Sequence, residues 1–199
     1  MRVVGIAGRY CAGKDAVVRI LEARGFRSID VDAVGHDVLA EQKDRIRTEF
    51  GDGIMRPDGS VDRRALGARV FRDPADLSRL ESIVHPRMVD RVRILLAGEH
   101  GPMLINAAIL YKMGLNALCD AVLWVTAPAA IRFLRAMKRD RLGPRRAWER
   151  IRAQRGLRPQ CNGPQVDTYI VNNWGSVRML ERAVGKALSG IEAGRGTDG

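Results

Sequence analysis

Little in this 199-residue sequence points to a membrane, an oxidising compartment or a metal cage. Cysteine is scarce: Cys11, Cys119 and Cys161 are odd in number and have the spacing of neither a metal site nor a disulfide framework, so they read as free thiols. No run approaches the roughly 20 apolar residues of a membrane span. The first residues, where Arg2 and Arg9 flank a strand-length apolar run, lack the core of a secretory signal. The expected location is therefore the cytoplasm, with no membrane partner.

Aromatic residues make up only 5% of the chain, and acids are outnumbered, with 23 Asp and Glu against 34 Lys and Arg and a net charge of +11. Such a balance suits nucleic acid, a polyanionic small ligand, or a chain that merely favours arginine. The positive charge is spread, with a maximum between Arg132 and Arg158 that only Trp148 interrupts. That arrangement lacks the interleaved aromatics of a nucleic-acid surface. Phosphate-rich small ligands are the expected partners, and nucleic acid is not. A hydrophobic content of 46% is enough for a proper core, and the length suggests one domain with elaborations.

Glycine is placed where it does most at the start. Gly8-Arg9-Tyr10-Cys11-Ala12-Gly13-Lys14-Asp15 matches the phosphate-loop pattern G-x-x-x-x-G-K-[ST] at every fixed position except the last, where Asp15 replaces the hydroxyl residue. Met1 to Ala7 reads as a buried parallel strand, and a helical pattern from Ala16 ends near Gly25. Gly8 and Gly13 let the backbone curl so that successive N–H groups face an anion beside a helix N-terminus, and Lys14 reaches the β- and γ-phosphates. The competing reading is a plain glycine turn with a chance lysine.

Phe26 to Asp32 reads as a second strand. In an open α/β sheet, ligands gather at the carboxyl ends of strands, so Asp30 and Asp32 are expected on one face of an extended chain beside the loop. Either could work on substrate, and Asp32 could instead cap a helix starting at Ala33. Residues 33–98 read as a helical insertion, with a break at Phe50 to Gly53, a turn at Arg56 to Gly59, and helices begun by Asp62 and by Asp73-Pro74. His85-Pro86 is expected to kink the run Leu80 to Leu96, with His85 either a hydrogen-bonding residue at the kink or a ligand contact.

Met103 to Asn106 and Asp120 to Thr126 are further buried strands. Asn106 stands at a strand end where many phosphate-loop enzymes carry an aspartate that orders Mg²⁺-bound waters. Ala129 to Arg141 and Arg145 to Gln154 read as two basic helices, and Gly156 to Gln165 as a mobile Pro/Gly-rich segment. This basic pair with its flexible end, the lid proper falling at residues 136–166, has the makings of a closing lid that brings arginines to phosphates, unless the helices are simply solvated and amphipathic. Thr168 to Val171 is the last strand and Ser176 to Ile191 the last helix, with Ser176 at its N-cap. Residues 193–199 read as a disordered tail.

These landmarks, in this order from Val3 to about Leu188, resemble the dephospho-coenzyme A kinase family, phosphate-loop kinases of the nucleoside-monophosphate-kinase type. The residues that carry the resemblance are the loop, Ile29 to Asp32, Phe50-Gly51, Asp58 to Leu66, Val70-Phe71, His85-Pro86, Ile109-Leu110, Arg139-Asp140, Gln154, and Ile170 to Gly175. The resemblance implies an α/β fold, a five-stranded parallel sheet flanked by helices, with a helical acceptor-binding insertion and a helical lid. It implies transfer of the ATP γ-phosphate to the ribose 3′-hydroxyl of dephospho-coenzyme A, with Mg²⁺.

Carried over residue by residue, the resemblance puts the base on Asp32, the phosphate lysine on Lys14 and the lid arginine on Arg139. ATP is expected at Gly8, Arg9, Tyr10, Cys11, Ala12, Gly13, Lys14, Asp15, Asn172, Asn173 and Gly175. The acceptor falls to Asp32, Arg63, His85, Pro86, Ile109 and Leu110, and the metal to Asp15 and Asp32. Three departures stand out: Asp15 where the family has Ser or Thr, Lys112 where it has Glu, and Ala108 where it has Pro. A carboxylate at position 15 can still serve Mg²⁺ as a hard-oxygen ligand, and Lys112 could offset its added charge. Two other readings remain open at this stage: a kinase for a different nucleoside or nucleotide, and a nucleotide-binding protein that has lost turnover.

Overall fold

The first strand lies in the middle of the sheet, paired to strands that come about 100 residues later. In the computed structural model, which describes residues 2–158 and 166–194, β1 (Val3–Gly8) aligns Val3 with Met103 of β3 (Met103–Asn106) and Val4 with Ala121 of β4 (Ala121–Thr126). With β2 (Arg27–Asp30) and β5 (Thr168–Asn172) on the edges, the order is β2-β3-β1-β4-β5 and the sheet is all parallel. β1 is buried at every position, as its unbroken apolar run requires of a central parallel strand.

The two faces of the sheet are filled differently. Val4 and Ile6 of β1, with Leu123 and Val125 of β4, pack on Val17 and Leu21 of α1 (Lys14–Glu22) and on Leu180 and Val184 of α8 (Val177–Gly194). Burying each such side chain is worth about 1.5–3 kcal/mol, and this cluster is the main core of the sheet unit. On the other face Gly5 meets residues 107–119 so closely that an added Cβ would lie 2.9 Å from Cys119 Sγ and 3.1 Å from Leu110 Cδ2. The chain forms two compact units: a sheet unit of residues up to Ile29 and from Glu99 onward, and a helical unit, Asp30–Gly98.

In the helical unit, α2 (Val31–Glu41), α3 (Lys43–Phe50), α4 (Arg63–Val70) and α5 (Pro74–Ala97) bury Val34, Val38, Ile46, Phe50, Leu66, Val70, Ile83, Met88 and Val92. Asp62 and Asp73 cap α4 and α5, their carboxylates accepting from the first-turn amides, and Pro74 sits where its missing N–H costs nothing. Buried Asp76 is held by Arg69 at 2.9 Å and Arg79 at 2.6 Å.

Several sequence expectations need correction. β2 ends at Asp30, and Asp32 lies in the first turn of α2 rather than on an extended chain, so the two aspartates do not share a strand face. The cap of α2 is Asp30, whose Oδ1 accepts from Asp32 N at 2.9 Å and Ala33 N at 3.4 Å. α5 continues through His85-Pro86, so the proline does not interrupt the helical run; the buried stripe on both sides of Pro86 outweighs the single backbone bond a proline removes. α8 continues to Gly194, so the tail cannot begin at Ala193. The helical unit itself begins at Asp30 rather than at the expected residue 33. Residues 159–165, with Cys161 and most of the expected mobile segment, and residues 195–199 of the expected tail lie outside the described residues.

Candidate active site

The loop between β1 and α1 is built by backbone conformations that only its glycines and one strained residue supply. Gly8 has φ 156 and Gly13 φ 90, and a side chain at either would collide, at Gly8 with the Val125 carbonyl and at Gly13 with the Asn173 amide. Cys11, with φ 56, carries the left-handed turn without the benefit of being glycine, and such strain gathers at functional loops. Gly13 is the N-cap of α1, so Lys14 opens the helix and the positive end of its dipole faces the loop.

What holds the loop in this shape comes from far along the chain. Asn173, directly after β5, is buried and donates from Nδ2 to the Ala12 carbonyl at 2.9 Å and the Gly13 carbonyl at 3.4 Å. Arg135, on α6 (Ala129–Asp140), donates to the Ala12 carbonyl at 3.1 Å and the Asn173 carbonyl at 3.0 Å. Arg132, one turn earlier, reaches the Tyr10 carbonyl at 3.4 Å. With the carbonyls of residues 10, 12 and 13 engaged from outside, the loop can turn amides inward toward an anion, while Ala12 N is spent on Arg9 O at 3.0 Å and Tyr10 N on Gln154 Oε1.

Tyr10 joins the loop to the basic helices. Its hydroxyl donates to Asp140 Oδ2 and accepts from Arg150 of α7 (Pro144–Ala153) at 3.2 Å, while Arg139 and Arg150 stack on its ring at 5.3 and 5.7 Å. Arg139 is also paired side-on with Asp140, at 2.8 and 3.3 Å. That pairing, first, and the bond from Tyr10, second, pull the Asp140 carboxyl down to about 2 and hold the Arg139 proton more tightly than usual. Burial followed by the Asp140 bond raises the Tyr10 phenol, and burial raises the Cys11 and Cys119 thiols, the latter to about 12. Neither cysteine is poised as a nucleophile.

A cavity of about 600 Å³ opens beside the loop, lined by Cys11, Gly13, Asp15, Arg139, Asn173 and Gly175 among others. The structure thus gathers five of the expected nucleotide residues and the expected lid arginine around one space, and Asn172 ends the strand beside it. A Cβ at Gly175 would meet Met179 Sδ at 2.6 Å, the end of an exposed flexible side chain that can swing aside. Asp15 is exposed in the first turn of α1 on this cavity, whereas Lys112 lines another, of about 270 Å³, with Ile109, Leu110, Ala7 and Trp124. In that second space Leu110 is buried and Ile109 partly exposed.

In the helical unit, Asp32 is exposed at the start of α2, relieved of capping by Asp30. Arg63 lines a cavity of about 480 Å³ with His36, Lys43, Arg56 and Asp58, and His85 and Pro86 sit mid-way along α5. Arg132, Arg135, Arg150 and Asp140 were not expected from the sequence as site residues, and Gln154 had no expected task. Their signal is tertiary, since each acts on a loop more than 100 residues away, and the one local hint was the arginine maximum after Arg132.

A parallel sheet of this order, whose central strand feeds a G-x-x-x-x-G-K loop at a helix N-terminus under a pair of arginine-rich helices, defines a phosphate-loop kinase. Within that class the chain belongs to the dephospho-CoA kinase family, whose family model matches residues 2–178. A dephospho-CoA kinase of Anaeromyxobacter dehalogenans is 38% identical over 207 residues, covering 98% of this chain and 95% of that protein. A crystal structure from Thermus thermophilus superposes with a TM-score of 0.79 at 28% identity, covering 94% and 96% of the two chains. The dephospho-CoA kinase of Campylobacter jejuni, 21% identical, shares the fold with a TM-score of 0.69 over 98% of this chain and all of that one. Among the described residues no helix is long and apolar enough to cross a membrane.

Proposed function

We propose that this chain transfers the γ-phosphate of ATP to the ribose 3′-hydroxyl of dephospho-coenzyme A, giving coenzyme A and ADP. Family membership supports the reaction, and the single structural observation that carries it is the loop with its carbonyls tied from behind at residues 10, 12 and 13. A transferring phosphoryl group needs little covalent chemistry from a protein. It needs fixed positive charge and donors around its oxygens and a hydroxyl held in line.

In this reading the loop from Gly8 to Asp15, with Lys14, holds the β- and γ-phosphates, and Asn172, Asn173 and Gly175 border the space for the base. Asp32 takes the proton of the 3′-hydroxyl as its oxygen bonds to the γ-phosphorus and the bond to the β,γ-bridging oxygen breaks. Arg139 meets the charge spread over the moving group, releasing Asp140 as it does so. Arg63, His85, Pro86, Ile109 and Leu110 belong to acceptor binding.

Mg²⁺ fits the donors present: Asp15 offers an exposed carboxylate on the loop cavity, and Mg²⁺ characteristically takes one or two carboxylates and fills its shell with phosphate oxygens and water. Asp15 and Asp32 would hold it, and it would neutralise charge on the phosphates. Both substrates are small polyanions, and the net charge of +11 suits them without recourse to nucleic acid or membrane; the reaction belongs in the cytoplasm.

The test is a coupled ADP-release assay with purified protein, ATP and Mg²⁺, offering dephospho-coenzyme A beside adenosine and AMP. Turnover with dephospho-coenzyme A is expected. Turnover confined to adenosine or AMP overturns the acceptor, and ATP binding with no turnover on any of them overturns the enzyme.

A further inference from the structure

Among the described residues two charged side chains are buried, and they are treated differently. Asp76 has two arginines on its oxygens. Arg132, only 3% exposed, has no carboxylate within ion-pair distance among the described residues; its Nε has no hydrogen-bond partner, and its one bond is the long 3.4 Å contact to the Tyr10 carbonyl. Removing a cation from water without a partner costs several kcal/mol in general. The neighbourhood makes matters worse, since burial first and then the cation of Arg9 act against the charged form. If the fold required only a donor for the Tyr10 carbonyl, a neutral amide would supply it without that cost.

Its position says what the charge is for. α6 begins directly after β4, the strand beside β1, so Arg132 in its first turns lies under the outer wall of the loop while Arg135, a turn later, engages the same wall and borders the nucleotide cavity. Arg132 itself does not line that cavity. We propose that Arg132 is a positioning residue whose counter-ion is the polyphosphate of the bound nucleotide, felt through the loop rather than by contact. The empty protein is held in a state of electrostatic imbalance that a triphosphate relieves. This rests on the loop being the nucleotide site.

The experiment compares the parent with Arg132→Gln, Arg132→Lys and Arg132→Met, measuring the melting temperature without ligand and Kd for ATP and adenosine at several salt concentrations. Arg132→Gln and Arg132→Met are expected to melt at or above the parent temperature, to bind ATP about tenfold more weakly with a shallower salt dependence, and to bind adenosine as before. Arg132→Lys, which keeps the charge and loses the guanidinium, is expected to stay within about threefold of the parent for ATP. A lower melting temperature with unchanged ATP affinity makes Arg132 an ordinary structural donor and overturns the proposal. Equal weakening for adenosine and ATP overturns it too, as does loss of ATP binding in a folded Arg132→Lys. Should Arg132→Gln and Arg132→Met not fold, the charge is needed by the fold itself and the proposal fails. A parent that does not bind ATP at all sinks the reading of the loop, a failure distinct from any of these.

Discussion

Replacing Asn173 by alanine separates two jobs that one residue could do. The resemblance assigns Asn173 to ATP and the proposed reaction sets it beside the base, yet its side chain is spent on the loop. Truncation deletes the 2.9 Å bond to Ala12 O, the weaker 3.4 Å bond to Gly13 O and the 3.4 Å bond accepted from Arg135. Neither loop carbonyl is orphaned, because Arg135 still serves Ala12 and Ala16 N still serves Gly13 at 3.2 Å. The loss is therefore one good hydrogen bond and two poor ones, about 2 kcal/mol in all. For a chain of this size that lowers the melting temperature by about 4–8 °C. If the whole amount falls on the ordered loop, ATP affinity drops by at most about thirtyfold, at 1.4 kcal/mol per factor of ten. Thermal melts and titration with ATP and GTP read this out: both nucleotides should weaken together, with their ratio kept. An unchanged melting temperature with lost discrimination between ATP and GTP would refute the clamp and return the side chain to the base.

Asp32→Asn keeps the size of the side chain and removes its basicity, so turnover should fall about a hundredfold or more while ATP still binds; retained turnover would remove the base from this position. Asp15→Ala should need much more Mg²⁺ for half-maximal rate, and identical metal curves for variant and parent would place Asp15 outside the metal shell. Asp140→Asn tests the tie to Tyr10 and Arg139 by pH. The carboxyl falls from 3.8 in the free side chain to about 2 in the fold, so its contribution is full above pH 4 and is lost between about pH 4 and pH 2. Melting temperatures of parent and variant should differ by a constant amount from pH 7 to pH 5 and converge only in that acid window. Convergence already at pH 5 would show that the carboxyl is not held down.

The sequence was readable where structure is local. An unbroken apolar run, paired glycines and a lysine marked β1 and its loop, β3 was read to the residue, and Asp62 and Asp73 announced their helices because capping needs only a neighbour two or three positions on. Asp30 and Asp32 were harder: both are good caps, and only the end of β2 decides between them. Pro86 does not end its helix because local propensity yields when a long helix buries one face. The supports of the loop, Asn173, Arg135, Arg132 and Gln154, carry no local pattern, since what selects them is a carbonyl or amide more than 100 residues away.

The placement of β1 bears on how the chain emerges from the ribosome. Its hydrogen-bonding neighbours begin at Met103 and Ala121, and the residue that clamps its loop is number 173. At about 5–20 residues per second the first strand waits roughly 5–20 seconds for an edge to pair with, longer still for Asn173. During that interval the most apolar stretch near the N-terminus is an open strand in search of a partner, the kind of segment that aggregates or recruits a chaperone. The helical unit lies wholly between β1 and its partners and draws its packing from its own helices. It can fold within the wait, while the phosphate loop, written first, is among the last parts to take shape.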